Sequence, residues 1–336
     1  SLTPPPVTEK RIVVPTPRTA QVVQVLATLP LTTLTGLQWV TWLGIMANTF
    51  SWFAPRPWLP TVSWWWLALG FLLFVTPVGR MAISVAGSRL LMRGVTEGAH
   101  PRGGSVHLRL WTANRLTDAS GASNLSGAPW MVYYARALGA TVGRDVDLHT
   151  LPPVTGMLTL GDGCSLEPEV DLSGYWIDGD VVHIGSIEVG AGATVGARST
   201  LLPGARIGRR AEITAGSAVS GKVKAGQQWS GSPAAKVGKA MHPWPDEAPP
   251  RGRGWVPVYG VTSLLLSGLP LLSIAAGLVI VGVGVAHAGT PLGAIGLGLA
   301  LLAPATAVSL LVFAAVTLMS VRLLSIGLIP GHHAVR

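Results

Sequence analysis

Between Val189 and Ile213 an aliphatic residue recurs at every sixth position: Val189, Val195, Leu201, Ile207 and Ile213. Helices repeat near 3.6 residues and strands near two, so neither accounts for the step. A step of six suits a coil of short extended edges joined by tight turns. Each aliphatic residue then points inward, and Gly190, Gly196 and Gly208 follow it where the backbone bends. A small residue four places on (Ala193, Ser199, Ala205, Ala211, Ser217) also points inward without crowding the axis. Three sextets close one triangular turn, and each turn buries its inner face only against its neighbours. The pattern predicts a mainly β fold, a parallel β-helix prism.

Sextets at Val142, Leu148, Leu160, Leu166 and Leu172 extend the prism upstream. Two segments break the count: "TLPPVTGM" after His149 and "SGYWIDGDVVHIGSIE" after Leu172. Breaks in a repeat become loops on one face, often the binding face. "GAPWMVYYARALGATVGRD" reads as a short amphipathic helix, Pro129–Leu138, leading into the first sextet, and "SGKVKAGQQWSGSPAAKVGK" leaves the prism at its end.

Charged residues make up 12% of the chain, about half the roughly 25% of an average protein. That deficit points to a membrane protein. Asp, Glu, Lys and Arg are absent between Arg18 and Arg56, between Arg56 and Arg80, and from Gly254 to Val321. A span needs roughly 20 apolar residues, which places four spans near Leu29–Ala54, Thr61–Gly79, Val258–Ala286 and Pro291–Val321. Pro and Gly mark the breaks at "APRPWLP" and "VAHAGTP". Trp52, Trp58, Trp64, Trp65, Trp66 and Trp255 lie near span ends, as interfacial aromatics do. Lys10, Arg11 and Arg18 precede the first span, Arg80, Arg89, Arg93 and Arg102 follow the second, and Arg251 and Arg253 precede the third. The positive-inside rule then puts both termini and the central domain on the cytoplasmic side of the membrane. The expected order is a linker (1–20), a two-span hairpin (21–93), the β-helix domain (94–253), a second hairpin (254–326) and a tail (327–336). The chain begins at Ser1 without Met and reads as a piece of a larger polypeptide.

The single Cys164 rules out an internal disulfide framework and a Cys-based zinc site; it falls at a small inward position and reads as packing. The net charge of +9 is not gathered into a basic face with interleaved aromatics, so no nucleic-acid partner is expected. Gly190, Gly192 and Gly196 lack the following helix and Lys-Ser/Thr pair of a phosphate loop and read as prism corners.

Sextets ending in Gly231-Ser232-Pro233-Ala234 resemble the left-handed β-helix hexapeptide acyltransferases. More narrowly, "TLPPVTGMLTLGDG", "DLSGYWIDGDVVHIG" and "VGARSTLLPGA" resemble the C-terminal region of the ε-poly-lysine synthetase type of membrane nonribosomal peptide synthetases. The resemblance implies a left-handed parallel β-helix inserted between two α-helical transmembrane hairpins. It implies a transferase joining a carrier-bound aminoacyl thioester to the amine of an amino acid or oligomer. The acyl donor would be the phosphopantetheine arm of a partner carrier domain, or CoA. Implied partners are upstream adenylation and carrier domains, two further tandem β-helix domains or a homotrimer, and the lipid bilayer.

Amine attack on a thioester needs a base and a donor for the developing oxyanion. The base implied for this fold class is a histidine on the prism. His100 and His107 precede the prism, His287 lies in an outer loop, and His242, His332 and His333 lie outside, leaving His183 and His149. His183 is the first choice, because Asp178 and Asp180 stand near it in sequence and a carboxylate can orient an imidazole. Tyr175 and Trp176 either line an acyl or pantetheine channel or pin their segment to the prism. Glu167, Glu169 and Asp171 either bind an ammonium group or form a solvated outer face. Lys222, Lys224, Lys236 and Lys239 meet either pantetheine or CoA phosphates or anionic headgroups. Three functions fit this reading: a peptide-forming aminoacyltransferase, a CoA-dependent acetyltransferase acting on an envelope precursor, and a non-catalytic anchoring unit.

Overall fold

A computed structural model describes residues 15, 17–53, 55, 57, 59–121, 130–241 and 255–327. Trp58, Pro129, His242, Arg251, Arg253, His332, His333, most of the expected linker and most of the expected tail lie outside them. The chain divides into two compact units, Ser1–Trp42 with Trp65–Pro245 and Leu43–Trp64 with Asp246–Arg336.

Helix α1 (Arg18–Phe53) has 36 residues, about 54 Å at 1.5 Å per residue. Its less exposed positions, among them Ala20, Gln24, Leu31, Gln38, Thr41 and Asn48, lie along one face, while Val22, Leu26, Leu29, Trp39 and Val40 on other faces are exposed. Near its end the Asn48 side-chain amide donates to the Val62 carbonyl (2.6 Å) and accepts from the Val62 N–H (2.9 Å), clamping the returning chain.

The second expected span is not one straight helix. Helix α2 (Trp64–Gly70) runs into a π-helical turn, Phe71–Val75, and the chain bends by 65° before α3 (Pro77–Met92). Proline disfavours helical backbone in the residue before it. Thr76 is accordingly extended, at φ −68° and ψ 144°, and its hydroxyl accepts from the Gly79 N–H to cap the new helix. The seven residues of α2 and the five of the π turn reach only about 18 Å, against a hydrocarbon core of about 30 Å. Only together with α3 does this bent pair form a candidate crossing.

Strand β1 (Gly98–Pro101) leads into α4 (Ser105–Ser120), and α5 (Met131–Leu138) follows. A buried hydroxyl chain ties the three helices: Ser84 Oγ lies 3.2 Å from Thr117 Oγ1 and 2.9 Å from Tyr134 Oη. Arginines close the helix ends, Arg80 donating to Ala119 O (2.8 Å) and Arg89 to Ala137 O (2.6 Å). Two charges assigned to the positive-inside signal are thus also structural. On α5, Met131, Tyr134, Ala135 and Leu138 share one buried face and pack into the prism core. They close its first end, as a terminal repeat requires.

The prism is a β-solenoid of about five turns. Its edges are β2 (Thr141–Val142), β3 (Asp147–Leu148), β4 (Leu158–Leu160), β5 (Ser165–Leu166), β6 (Tyr175–Asp178), β7 (Val181–Ile184), β8 (Ile187–Val189) and β9 (Thr194–Val195). They continue with β10 (Thr200–Leu201), β11 (Arg206–Ile207), β12 (Glu212–Ile213), β13 (Ala218–Val219), β14 (Lys222–Val223), β15 (Gln227–Ser230) and β16 (Ala235–Lys239). Parallel stacking gives three faces: β2-β4-β8-β11-β14, β3-β5-β9-β12-β15, and β10-β13 extended by an Asp171–Thr200 bridge. Leu148, Leu166, Val195 and Ile213 form one inward column, and Cys164, Ala193 and Ala211 fill a corner beside it, all within one continuous core.

Register corrects two sequence expectations. Thr141 stands beside Thr159, eighteen residues on, the same interval as Thr194 to Glu212. The segment "TLPPVTGM" is therefore no insertion; its prolines shape a third edge without strand pairing while the count holds. The other break is real: Thr159 pairs with Glu188, twenty-nine residues on, eleven more than a regular turn. The excess forms the β6–β7 hairpin, with β1 added antiparallel to β7. Its two-residue turn, Gly179–Asp180, places Gly179 at φ +57°, as short hairpins demand at that position. At the far end the coil does not stop at Gly221. Lys222 pairs beside Arg206 at a shortened interval of sixteen, and the antiparallel β15–β16 pair then closes the sheet edge.

Cys164 is fully buried, and burial pushes its thiol up to about 12. The thiolate is the reactive form. Native protein at pH 8 is expected to resist iodoacetamide at Cys164 and to react fully once denatured; rapid native labelling would contradict this packing.

In the second unit, α6 (Trp255–Val285) and α7 (Pro291–Leu324) form an antiparallel hairpin. Small residues set its spacing: a Cβ on Gly277 would lie 2.2 Å from Ser309 Oγ and 2.7 Å from Ala305 O. Among the described residues, three helices, α1, the Gly268–Val285 part of α6, and α7, are long and apolar enough to cross a membrane.

Candidate active site

On the first turn of the solenoid, Leu148 points into the core while Asp147 and His149 on either side point out, as the period of two in an extended edge requires. His149 Nε2 lies 3.2 Å from Asp147 Oδ1, with the side chains 34% and 39% exposed. The backbone beneath is fixed by Asp147 N–H to Cys164 O (2.9 Å) and His149 N–H to Leu166 O (3.0 Å). Thr150 Oγ1 donates to Val170 O at 2.6 Å. A carboxylate only accepts, so a hydrogen bond across this contact requires the proton on Nε2 and leaves the lone pair of the neutral ring on Nδ1. This is an oriented imidazole on a rigid, partly exposed edge. Sequence reasoning weighed His149 but not Asp147; the signal was the Asp-x-His spacing across an inward Leu.

His183 lies on β7 opposite Trp176 of β6, and the two rings stack at 5.3 Å between centroids. Its ring neighbour is thus the indole across the strand pair. Asp178 pairs in register with Val181, and Asp180 sits in the turn. His183 and Trp176 share the outer face of the hairpin, whose other face buries Val182 and Ile184 against α4 and the end of α3. Tyr175 faces that inner cluster. Burial raises its phenol above the ordinary range, with Asp171 and Asp118 adding to the shift. The segment read as one loop therefore has two faces, with Trp176 on one and Tyr175 on the other.

The acidic residues have structural partners. Glu167 accepts from the Ala197 N–H (2.8 Å), Glu169 pairs with Arg198 Nε (2.7 Å), and Asp171 accepts from the Ser173 N–H (2.9 Å). Lys222 and Lys224 are exposed on the last turn, with Lys236 and Lys239 exposed on β16. Lys222 stands beside Arg206, which reaches Glu188 at 3.4 Å. Among the described residues no three His, Cys, Asp or Glu side chains gather as a metal site.

His100 Nε2 lies 3.0 Å from Thr96 O, and His287 Nδ1 lies 2.8 Å from Val283 O. His107 Nδ1 accepts from the Gly103 N–H at 3.0 Å, which requires an unprotonated Nδ1. Burial, with Arg102 nearby, lowers its basicity. The unfolded chain therefore binds this proton more readily, and the contribution of His107 to stability is full above about pH 6.5 and falls as pH drops below it. Thermal melts should show His107→Gln flattening the wild-type loss between about pH 6.5 and 5; an unchanged slope would assign that loss elsewhere.

No family model matches the chain. Similar solved structures include serine acetyltransferase from Brucella abortus, 16% identical with a TM-score of 0.27, covering 52% of this chain and 76% of its own. Others are a maltose O-acetyltransferase from Clostridium difficile (15%, TM-score 0.27, 49% and 88%) and serine acetyltransferase from Neisseria gonorrhoeae (18%, TM-score 0.27, 69% and 95%). In sequence, the chain is 30% identical over 176 residues to a protein named Delta-poly-L-ornithine synthetase from Acinetobacter baumannii. That match covers 51% of this chain but only 13% of the relative's length.

Proposed function

We propose that this chain is an acyl-transferring, amide-forming unit of a larger, membrane-tethered nonribosomal peptide synthetase. The observation that carries the reading is the His149–Asp147 pair on the first solenoid turn; the similarity to a poly-amino-acid synthetase supports the substrate class. The donor is an aminoacyl thioester on a carrier domain's phosphopantetheine arm. The acceptor is the amine of an amino acid or growing oligomer.

His149 Nδ1 accepts a proton from the amine nitrogen as the N–C bond forms. Asp147 holds the ring's orientation and stabilises the resulting imidazolium. The ring then returns the proton to the sulfur as the C–S bond breaks, so the products are an amide and a free thiol. Trp176 and His183 offer a flat aromatic surface for the substrate, and Lys222 and Lys224 can meet the donor's phosphate. Helix α1, the bent α2–α3 pair, α6 and α7 make four bilayer crossings, which keeps the solenoid and both termini on the cytoplasmic side. The companion solenoids are two further tandem domains or two more copies of this one.

The test supplies the full-length protein with either a carrier-bound aminoacyl thioester or acetyl-CoA and one acceptor amine. Amide product from the carrier-bound donor alone supports the proposal. Efficient transfer from acetyl-CoA without a carrier favours a CoA-dependent acetyltransferase, and transfer from neither favours an anchoring unit.

A further inference from the structure

Within the first unit, a crevice is lined by Leu34, Thr35 and Gln38 of α1, Phe74 of the π turn, Arg80 of α3 and Ser120 of α4. Ile83, Leu116 and Ala119 complete the lining, so four of its nine residues carry polar groups. Arg80 is half-buried, and its side-chain hydrogen bond among the described residues goes to Ala119 O. That uses one of five guanidinium N–H donors. An ionisable residue held against apolar helices needs an anionic or strongly polar partner. Exposed apolar residues stand on the same elements: Leu37 on α1, and Leu69 and Leu72 on α2 and the π turn. The 65° bend at Thr76–Pro77 sits between Phe74 and Arg80, so the apolar run ends where the charge begins.

We infer that this crevice binds the headgroup of an anionic phospholipid. The phosphate meets Arg80, with Gln38 and Thr35 as further donors, and the acyl chains lie along the exposed apolar surface of Leu37, Leu69 and Leu72. Charge complementarity selects the headgroup and the flanking apolar surfaces select a lipid over free phosphate. Basic crevices between membrane helices recognise anionic headgroups in this way. The inference rests on the membrane reading of α1 and α2.

The test uses the full chain in detergent mixed with equal phosphatidylglycerol and phosphatidylcholine, with retained lipid counted by native mass spectrometry. Wild type should retain phosphatidylglycerol over phosphatidylcholine, and Arg80→Gln should cut that preference roughly five- to tenfold. Arg80→Lys should keep part of it. Because Arg80 also closes α4, Gln38→Leu with Thr35→Val is the second variant, expected to weaken retention while Arg80 stays in place. Excess inorganic phosphate should not displace the lipid. Equal retention of both lipids by wild type, unchanged preference in a folded Arg80→Gln protein, or displacement by phosphate would overturn the assignment. Alkaline carbonate extraction of the wild type, run in parallel, tests membrane insertion itself and separates failure of that reading from failure of this one.

Discussion

His149→Ala should lower amide formation by the full-length protein about 10²- to 10⁴-fold, the usual contribution of a positioned general base. The loss should fall on kcat, because the ring acts on the reacting nitrogen and not on remote parts of the substrate. Asp147→Asn keeps the shape but turns an acceptor into a group that can donate, so the ring loses its fixed tautomer and the support of its charged form. Its loss should also fall on kcat, and the double variant should be little worse than His149→Ala, since the two act as one unit. His183→Ala should differ in kind. Removing one ring of the Trp176 stack should raise KM for the acceptor with a smaller change in kcat. Steady-state kinetics on the four proteins checks this pattern; a kcat collapse for His183→Ala with a normal His149→Ala would exchange their roles.

The second large effect is on the solenoid. A Cβ on Gly161 would lie 2.4 Å from the Ala191 nitrogen and 2.8 Å from its Cα. These are backbone atoms of the next turn, which cannot move without opening the stack. Gly161→Ala should therefore destabilise the domain by about 1–3 kcal/mol or more, lowering Tm by about 2–4 °C for each kcal/mol. Gly163 is the control. It sits at φ +65° with open space around it, so Gly163→Asn, a residue tolerated in that conformation, should cost much less. Equal melting temperatures for the two variants would contradict the coil spacing described above.

These two sites also show what a sequence can and cannot reveal. The inward columns were legible because Val189, Val195, Leu201, Ile207 and Ile213 repeat without interruption, and a six-residue step has few structural solutions. The third edge of the first turn was not, because Pro152 and Pro153 remove strand pairing while leaving its length intact. The hairpin showed itself as excess residues, yet its partner strand, Gly98–Pro101, lies far upstream and carries no alternation. The bend after the π turn was hidden because Pro77 opens a helix as readily as it ends one, and composition reads the same on both sides. For the candidate site, His149 and His183 stood out by residue type. What distinguishes them is their neighbours: a carboxylate across one inward Leu for the first, an indole across a strand pair for the second. Only the fold supplies those.

The most direct test is a rapid-quench, single-turnover measurement on the intact protein, loaded with an aminoacyl thioester and mixed with acceptor amine. Wild type should form amide while the thioester decays in step. His149→Ala should load normally and then hold its thioester with almost no amide formed. Amide formation at the wild-type rate in the His149→Ala protein would mean that the imidazole on the first solenoid turn is not the base.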